Sequence, residues 1–288
     1  MLLVLFVLFS SRSVCSLDSC NFVAYCGASK MKSHTFKGPT AGFVVTYTFD
    51  DLKDTQGYVG YLPSDSSIYV VFRGSSSIQN WITNLKVTKT AYKGSCCGKS
   101  CQIHNGFYQA GHCASLPSFL PSFFLTLVFL FPATSSFPGI LSAVQSLRSK
   151  FPSYAVKCTG HSLGAALSQI TAMTLKDNGI TPAVIYNFGQ PRIGDPNYAT
   201  CASSYVPTER VTHLKDTVPH IPYESWGYQH ECREAYESSS TSSNPQVKNC
   251  DTSNCEDATC SNQWAFKQTN VDDHMLYLGL SVTCAAVS

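Results

Sequence analysis

Lys157-Cys158-Thr159-Gly160-His161-Ser162-Leu163-Gly164-Ala165-Ala166-Leu167-Ser168 is the stretch on which the fold turns. Within it, Gly160, Ser162 and Gly164 have the spacing of a strand-to-helix turn that holds a serine out of the chain. A serine hydroxyl is a weak nucleophile and has to be presented to both substrate and base. Such a turn strains the backbone at the serine and draws chain segments together, so the residues two before and two after it have to be small. The flanks agree. Ala155-Val156-Lys157-Cys158-Thr159 reads as a short strand, and Ala166, Leu167, Ile170, Met173 and Leu175 recur at helical spacing from Leu163 to Lys176. Asn178-Gly179 ends that helix.

Outward from this unit, strands and turns alternate. Phe43–Phe49 and Gln56–Tyr61 read as strands with Asp50-Asp51 between them. Ser67–Phe72 is a continuous apolar strand, as expected where a sheet is covered on both faces. It runs into Arg73-Gly74-Ser75-Ser76-Ser77-Ile78-Gln79-Asn80-Trp81-Ile82. There the functional reading is an oxyanion donor at Ser75 and a flap carrying Trp81; the structural reading is a core tryptophan in a loop. Ala183–Phe188 and Arg210–Leu214 are further strands, each entering a turn rich in polar residues. Strand, helix, strand, helix, strand, with functional-looking residues at strand ends, predicts an α/β sheet with its site at the carboxyl edge.

The 288 residues suffice for one α/β domain or two small ones. Twenty Lys+Arg against eighteen Asp+Glu give a net charge of +2, with no basic stripe for nucleic acid. Fourteen cysteines suit an oxidising compartment. Leu2–Phe9 is an apolar run of leader length, far short of a membrane span, so residues 1–16 are expected to be a signal peptide and 17–288 a single domain. No basic residue precedes that run, and Arg12 follows it. No Asn-x-Ser/Thr sequon occurs. Cys96-Cys97-Gly98-Lys99-Ser100-Cys101 is read as disulfide-forming; zinc is the alternative, but no paired C-x-x-C accompanies it.

Residues 116–139, LPSFLPSFFLTLVFLFPATSSFPG, break the pattern. The stretch has no charge, and its prolines oppose a helix. Phe, Leu, Pro and Ser make 19 of its 24 residues, all with codons that can carry pyrimidines at the first two positions. The expectation is a retained intron or gene-model error; a lipid-interacting loop and an ordinary insertion are the rivals. Removing it would join Cys113-Ala114-Ser115 to Ile140 in one helix, which Val144, Leu147 and Phe151 continue.

A serine nucleophile needs a base and a group that orients the base, and in this architecture they follow in the order Ser, Asp, His. Asp216 follows a strand directly and is the leading acid; His274 is the leading base. Asp195, Asp272 and Asp273 read as turns or caps. His161 is expected to point away from its neighbour, and His220 to line the substrate pocket. The backbone N–H groups of Leu163, at a helix start, and of Ser75 would receive an oxyanion.

The sequence resembles the class 3 lipase family, the filamentous-fungal triacylglycerol lipases with their feruloyl esterase relatives. Five ordered blocks carry the resemblance: Val71–Ile82, Gly160–Gly164, Gly189–Asp195, Asp216–Pro222 and Asp273–Tyr277. It implies an α/β-hydrolase fold, a central mostly parallel sheet with helices on both faces, stabilised by disulfides. It implies a triad of Ser162, Asp216 and His274 with Ser75 and Leu163 at the oxyanion. It further implies a lid over Ser77–Ile82 that uses Ile78, Trp81 and Ile82, with Trp81 as the apolar lever. The resemblance also pairs Cys26 with Cys284 and Cys250 with Cys260, and leaves Cys158 as a free buried thiol. It departs at Asn84, where the family has Asp, and at Ala165, where Gly is common.

The protein so implied is a secreted ester hydrolase that needs no metal or cofactor. Its partners are a lipid or other ester and a transient lipid–water interface, with no nucleic acid and no transmembrane segment; a monomer is expected. A feruloyl or short-chain esterase and a catalytically silent lipid- or wall-binding protein are the alternatives.

Overall fold

The computed structural model describes residues 36, 40–51, 55–75, 77–98, 100–111, 136–239 and 245–282. In chain order, β1 (Val44–Asp51), β2 (Thr55–Leu62) and β3 (Ser67–Phe72) precede helix α1 (Ile78–Thr83). A small ribbon, β4 (Lys89–Ala91) with β5 (Gln102–His104), leads into α2 (Asn105–Gly111) and α3 (Phe137–Lys150). Next come β6 (Ala155–His161), α4 (Leu163–Asp177), β7 (Val184–Phe188), α5 (Pro196–Tyr205) and β8 (Thr208–His213). The chain closes with β9 (Glu234–Glu237), β10 (Val247–Asn249) and the hairpin β11 (Leu276–Tyr277) and β12 (Leu280–Ser281).

Among the described residues, eight strands form one sheet in the order β1-β2-β3-β6-β7-β8-β9-β10. Neighbours from β3 to β9 are parallel, and the pairs at both ends are antiparallel. The parallel strands need crossovers, and α4 and α5 supply two of them. This is the α/β-hydrolase arrangement. Every residue of β3 is buried, which explains its unbroken apolar run.

One face of the sheet holds the main core. Val70, Phe72, Val156, Cys158 and Ile185 pack there under Ile140, Val144 and Leu147 of α3 and under Leu167 and Ile170 of α4. Helix α4 is buried without interruption from Leu163 to Leu175, wedged between the sheet and α2. On the opposite face Tyr186, Phe188, Val211 and Ala235 are covered by Tyr277 and Leu278. The C-terminal hairpin therefore brings His274, two residues before it, back over the sheet. Among the described residues no helix is long and apolar enough to cross a membrane.

Disulfides join Cys96 to Cys201, Cys97 to Cys101, Cys232 to Cys255 and Cys250 to Cys260. Cys158 is the free cysteine among the described residues, and burial raises its thiol pKa well above the ordinary range. Cys26 and Cys284 lie outside the described residues, as does the leader at 1–16.

Several boundaries differ from the sequence reading. Asp50 and Asp51, expected between the two strands, are the end of β1, paired with Gln56 and Thr55. The 116–139 stretch overruns into a helix: Phe137, Pro138 and Gly139 are the first turn of α3, with Phe137 buried and Gly139 packed against the Tyr47 ring. Proline suits a first helical turn, where its missing N–H costs nothing. Residues 112–135 lie outside the described residues. Strand β9 went unread because Glu234-Ala235-Tyr236-Glu237 has no apolar pattern, yet all four residues are buried.

Candidate active site

Ser162 sits between β6 and α4 with φ 59° and ψ −128°, a strained conformation for a non-glycine residue. Close packing enforces it. A Cβ at Gly160 would collide with the Gly164 carbonyl, and one at Gly164 would stand 2.5 Å from the Arg73 carbonyl oxygen. The second approach draws the end of β3 onto the start of α4. Gly74 completes the contact, since a Cβ there would lie 2.9 Å from the His161 carbonyl and 3.1 Å from Ser162 Cβ. Ser75 is thereby held beside Ser162 and Leu163, where α4 begins and its first N–H groups have no helical partner.

Asp216 lies just past the end of β8 and is 1% exposed. Its Oδ1 accepts the Val218 N–H at 2.8 Å. Its Oδ2 accepts His274 Nδ1–H at 2.8 Å and the Tyr277 hydroxyl in a short bond. Burial alone would raise the Asp216 pKa, but the adjacent His274 charge and these three donors hold it below the usual carboxylate range. The bond to Nδ1 leaves Nε2 of His274 as the nitrogen that can receive a proton.

The His274 ring and the Asp216 carboxylate both lie against Gly189, whose φ is +54°. Gly189 follows Phe188, and the Phe188 carbonyl accepts the Ser162 N–H at 2.9 Å. Among the described residues, Ser162 Oγ, Ser75 Oγ and His274 Nε2 are buried without a hydrogen-bond partner. Buried polar atoms are rarely left unpaired, and three in one neighbourhood mark a site built to receive polar atoms from outside.

His161, expected to point away from Ser162, lies against His274. Strand alternation puts it on the hairpin face, where its Nε2–H donates to the His274 carbonyl at 2.9 Å and its ring centroid lies 4.3 Å from that of His274. Burial, aided by the charge of His274, lowers its pKa to about 3, so it stays neutral while bracing the His274 backbone. Asp273 also contributes structurally: its carboxylate accepts Lys215 N–H and Asn270 Nδ2–H, tying the His274 turn to the end of β8. Asp195 caps α5 through Tyr198 N–H, and Asp272 is exposed.

A cavity of about 500 Å³ opens beside Ser75 and Leu163. Trp81, Leu85, Phe107 and His104 line it. Trp81 stacks on Phe107 with centroids 6.0 Å apart and planes 15° apart, and Phe107 stacks on His104 at 3.9 Å. Burial lowers the His104 pKa to about 4, so its ring is neutral on this apolar wall. Of the three apolar residues expected in the lid, Trp81 lines the cavity, beside Ser77 and Asn80 of the same segment. Ile78 is buried and Ile82 half-buried in α1, off the cavity wall. His220 is elsewhere, because its Nδ1 bonds the Asp216 carbonyl at 2.8 Å and turns the ring into a different cavity. Asn84 donates to the Asn80 carbonyl within α1 and leaves the Ser75 hydroxyl unpaired.

The sequence reading assigned no role to Tyr277, Gly189, His104 or Phe107. Tyr277 stood inside the Asp273–Tyr277 block, three residues after His274, and that spacing was its available signal. Gly189 opened the Gly189–Asp195 block, and that was its signal; Phe107 had none, since its stacking partner Trp81 comes from another segment.

Residues 69–226 match the family model for lipase (class 3), more than half of the chain. The chain belongs to the class 3 lipase family. It is 31% identical over 234 residues to a lipase of Rhizomucor miehei, covering 79% of this chain and 56% of that one. It is 28% identical over 191 residues to the secreted mono- and diacylglycerol lipase A of Penicillium cyclopium, covering 66% and 54%. Among solved structures, a triacylglycerol lipase whose catalytic centre is a serine protease triad aligns with TM-score 0.68 and 28% identity, over 85% of this chain and 83% of that one. The chain spans about half the length of these curated relatives.

Proposed function

We propose that this class 3 lipase chain is a secreted serine ester hydrolase acting on acylglycerols, triacylglycerols foremost. The observation that carries the reading is the Asp216–His274 hydrogen bond, which leaves His274 Nε2 free, together with the unpaired Ser162 hydroxyl on its strained turn. Ser162 Oγ attacks the ester carbonyl while its proton passes to His274 Nε2. Asp216 holds the tautomer and stabilises the imidazolium. The Leu163 and Ser75 N–H groups receive the oxyanion. The C–O bond then breaks, and the alcohol leaves with the His274 proton. A water molecule repeats the sequence on the acyl-enzyme and releases the acid. The apolar cavity under Trp81 holds the acyl chain, and displacement of α1 at a lipid surface admits it. The disulfides and the relative described as secreted support an extracellular enzyme. The chain acts as a monomer.

The test is hydrolysis of p-nitrophenyl esters from acetyl to palmitoyl, with triolein and methyl ferulate alongside, by the protein and by Ser162→Ala. Serine-dependent activity that rises with chain length and extends to triolein is expected, with Ser162→Ala losing roughly a millionfold in kcat. Preference for methyl ferulate would move the reading to a feruloyl esterase. A folded protein with no serine-dependent turnover would end the enzymatic reading in favour of a lipid- or wall-binding role.

A further inference from the structure

A second cavity, of about 450 Å³, shares no lining residue with the one beside Ser75. Its volume falls within the roughly 300–1,000 Å³ typical of small-ligand clefts. Its walls combine two kinds of side chain. Tyr223, Trp264 and Phe266 supply aromatic rings, while Arg192, Glu224, Asn262 and Gln263 supply planar polar groups.

The polar wall is organised in advance. Arg192 is buried and holds Glu256 through two bonds, Glu224 Oε1 at 3.2 Å and the Pro222 carbonyl at 3.2 Å. Asn262 Nδ2–H also donates to Glu224 Oε1, at 3.2 Å. Gln263 Nε2–H is tied to the Cys260 carbonyl at 2.8 Å. These bonds occupy the nitrogen ends of both amides and one carboxylate oxygen. They leave Glu224 Oε2, Asn262 Oδ1 and Gln263 Oε1 as fixed acceptors on the wall.

The ring wall is unusually open. Phe266 is 39% exposed and packs edge-on against Tyr223 at 5.0 Å; Tyr223 also packs against Trp226, which is 47% exposed. These are two of the three most exposed large apolar side chains among the described residues, and they share one neighbour. Trp264 is pinned by its Nε1–H to the Tyr236 hydroxyl at 3.1 Å.

We propose that this cavity is a saccharide-binding site for a pyranose ring. A pyranose has an apolar C–H face, which suits an aromatic ring, and a rim of hydroxyls that donate to amide and carboxylate oxygens held in a plane. A purely lipid-facing patch would have no use for the locked Arg192–Glu224–Asn262 cluster. None of Ser162, Asp216 and His274 lines the site, whose one link to them is His220 through the Asp216 carbonyl, so its existence does not depend on that reading. The sugar could be carried by a soluble or wall saccharide, or by a glycolipid headgroup.

The test titrates the full chain, disulfides intact, with methyl glucopyranosides, galactopyranosides and mannopyranosides and with gluco-oligosaccharides, read by tryptophan fluorescence and calorimetry. Saturable binding by at least one of them is expected. Asn262→Ala and Phe266→Ala should each weaken it by about tenfold, a loss of about 1.4 kcal/mol, while p-nitrophenyl acetate hydrolysis is unchanged. Phosphatidylcholine vesicles with and without glycosyl diacylglycerol separate the sources. Sedimentation that needs the glycolipid and is competed by free sugar assigns a headgroup; oligosaccharide binding without glycolipid enrichment assigns a free or wall saccharide. No saturable saccharide binding, or binding that both variants leave intact, overturns the proposal. So does sugar-independent binding to plain vesicles that Phe266→Ala abolishes, which would make the patch a lipid anchor instead.

Discussion

Tyr277 donates its hydroxyl hydrogen to Asp216 Oδ2, the same oxygen that accepts His274 Nδ1–H. The carboxylate is thus shared between the proposed base and a tyrosine whose pKa burial and the Asp216 charge push well above 10.0. Tyr277→Phe keeps the ring that packs on Phe188 and removes only the donor. Hydrogen bonds to charged groups contribute about 1.5–3 kcal/mol, so kcat on a p-nitrophenyl ester should fall by roughly tenfold or more with KM little changed. Unchanged kcat would show that the tyrosine only fills space.

Gly189 leaves room for the Asp216–His274 pair. An added Cβ would lie 2.7 Å from His274 Cε1 and 2.8 Å from Asp216 Oδ2, at a backbone φ of +54° that disfavours side chains. Gly189→Ala should displace the imidazole by a fraction of an ångström and lower kcat by about a hundredfold. Circular dichroism should report a folded protein. Wild-type kcat would mean that the pair relaxes without cost.

The disulfides should differ in what they stabilise. Cys96–Cys201 closes a separation of 105 residues and ties the loop after β4 to α5, whereas Cys97–Cys101 spans only 4. In the chain-entropy account a loop of about 100 residues contributes roughly 4–5 kcal/mol, and a very short one far less. Replacing Cys96 and Cys201 by alanine should lower the melting temperature much more than replacing Cys97 and Cys101. Equal losses would point to native-state strain or packing as the larger effect.

Glu237 is 1% exposed and accepts the Leu278 N–H at 2.7 Å; burial raises its pKa from 4.5 to about 7. A proton held more tightly in the folded chain than in the unfolded one stabilises the fold below about pH 4.5, and the contribution is lost as pH rises through about 7. Glu237→Gln removes this dependence. Relative to wild type, its stability should improve between about pH 5 and pH 9, by up to about 3 kcal/mol. Denaturant titrations at the two pH values measure it, and a pH-independent difference would count against the assignment.

Much of the candidate site was legible because its signals are local. Ser162 stood out through two glycines and a change of period from strand to helix, and Asp216 through its place directly after a strand. The contacts of His161 and His220 were not legible for one reason: both sit in short motifs, but what each ring meets depends on segments far away in the chain. His161 answers to the His274 carbonyl and His220 to those of Asp216 and Ser261.

The sequence alone determined the strand–turn–helix around Ser162, the continuous core strand Ser67–Phe72 and the helical course of Leu163–Lys176, because periodicity and small residues act over a few positions. Only the tertiary structure decided that Tyr277 shares the Asp216 carboxylate, that Gly189 makes room for His274, that Cys96 meets Cys201, and that the charged run Glu234–Glu237 is a buried strand. Those outcomes rest on parallel sheet register and on the return of the C-terminal hairpin over the sheet, which join residues tens of positions apart. No local spacing encodes such a meeting; the packing of the whole sheet does.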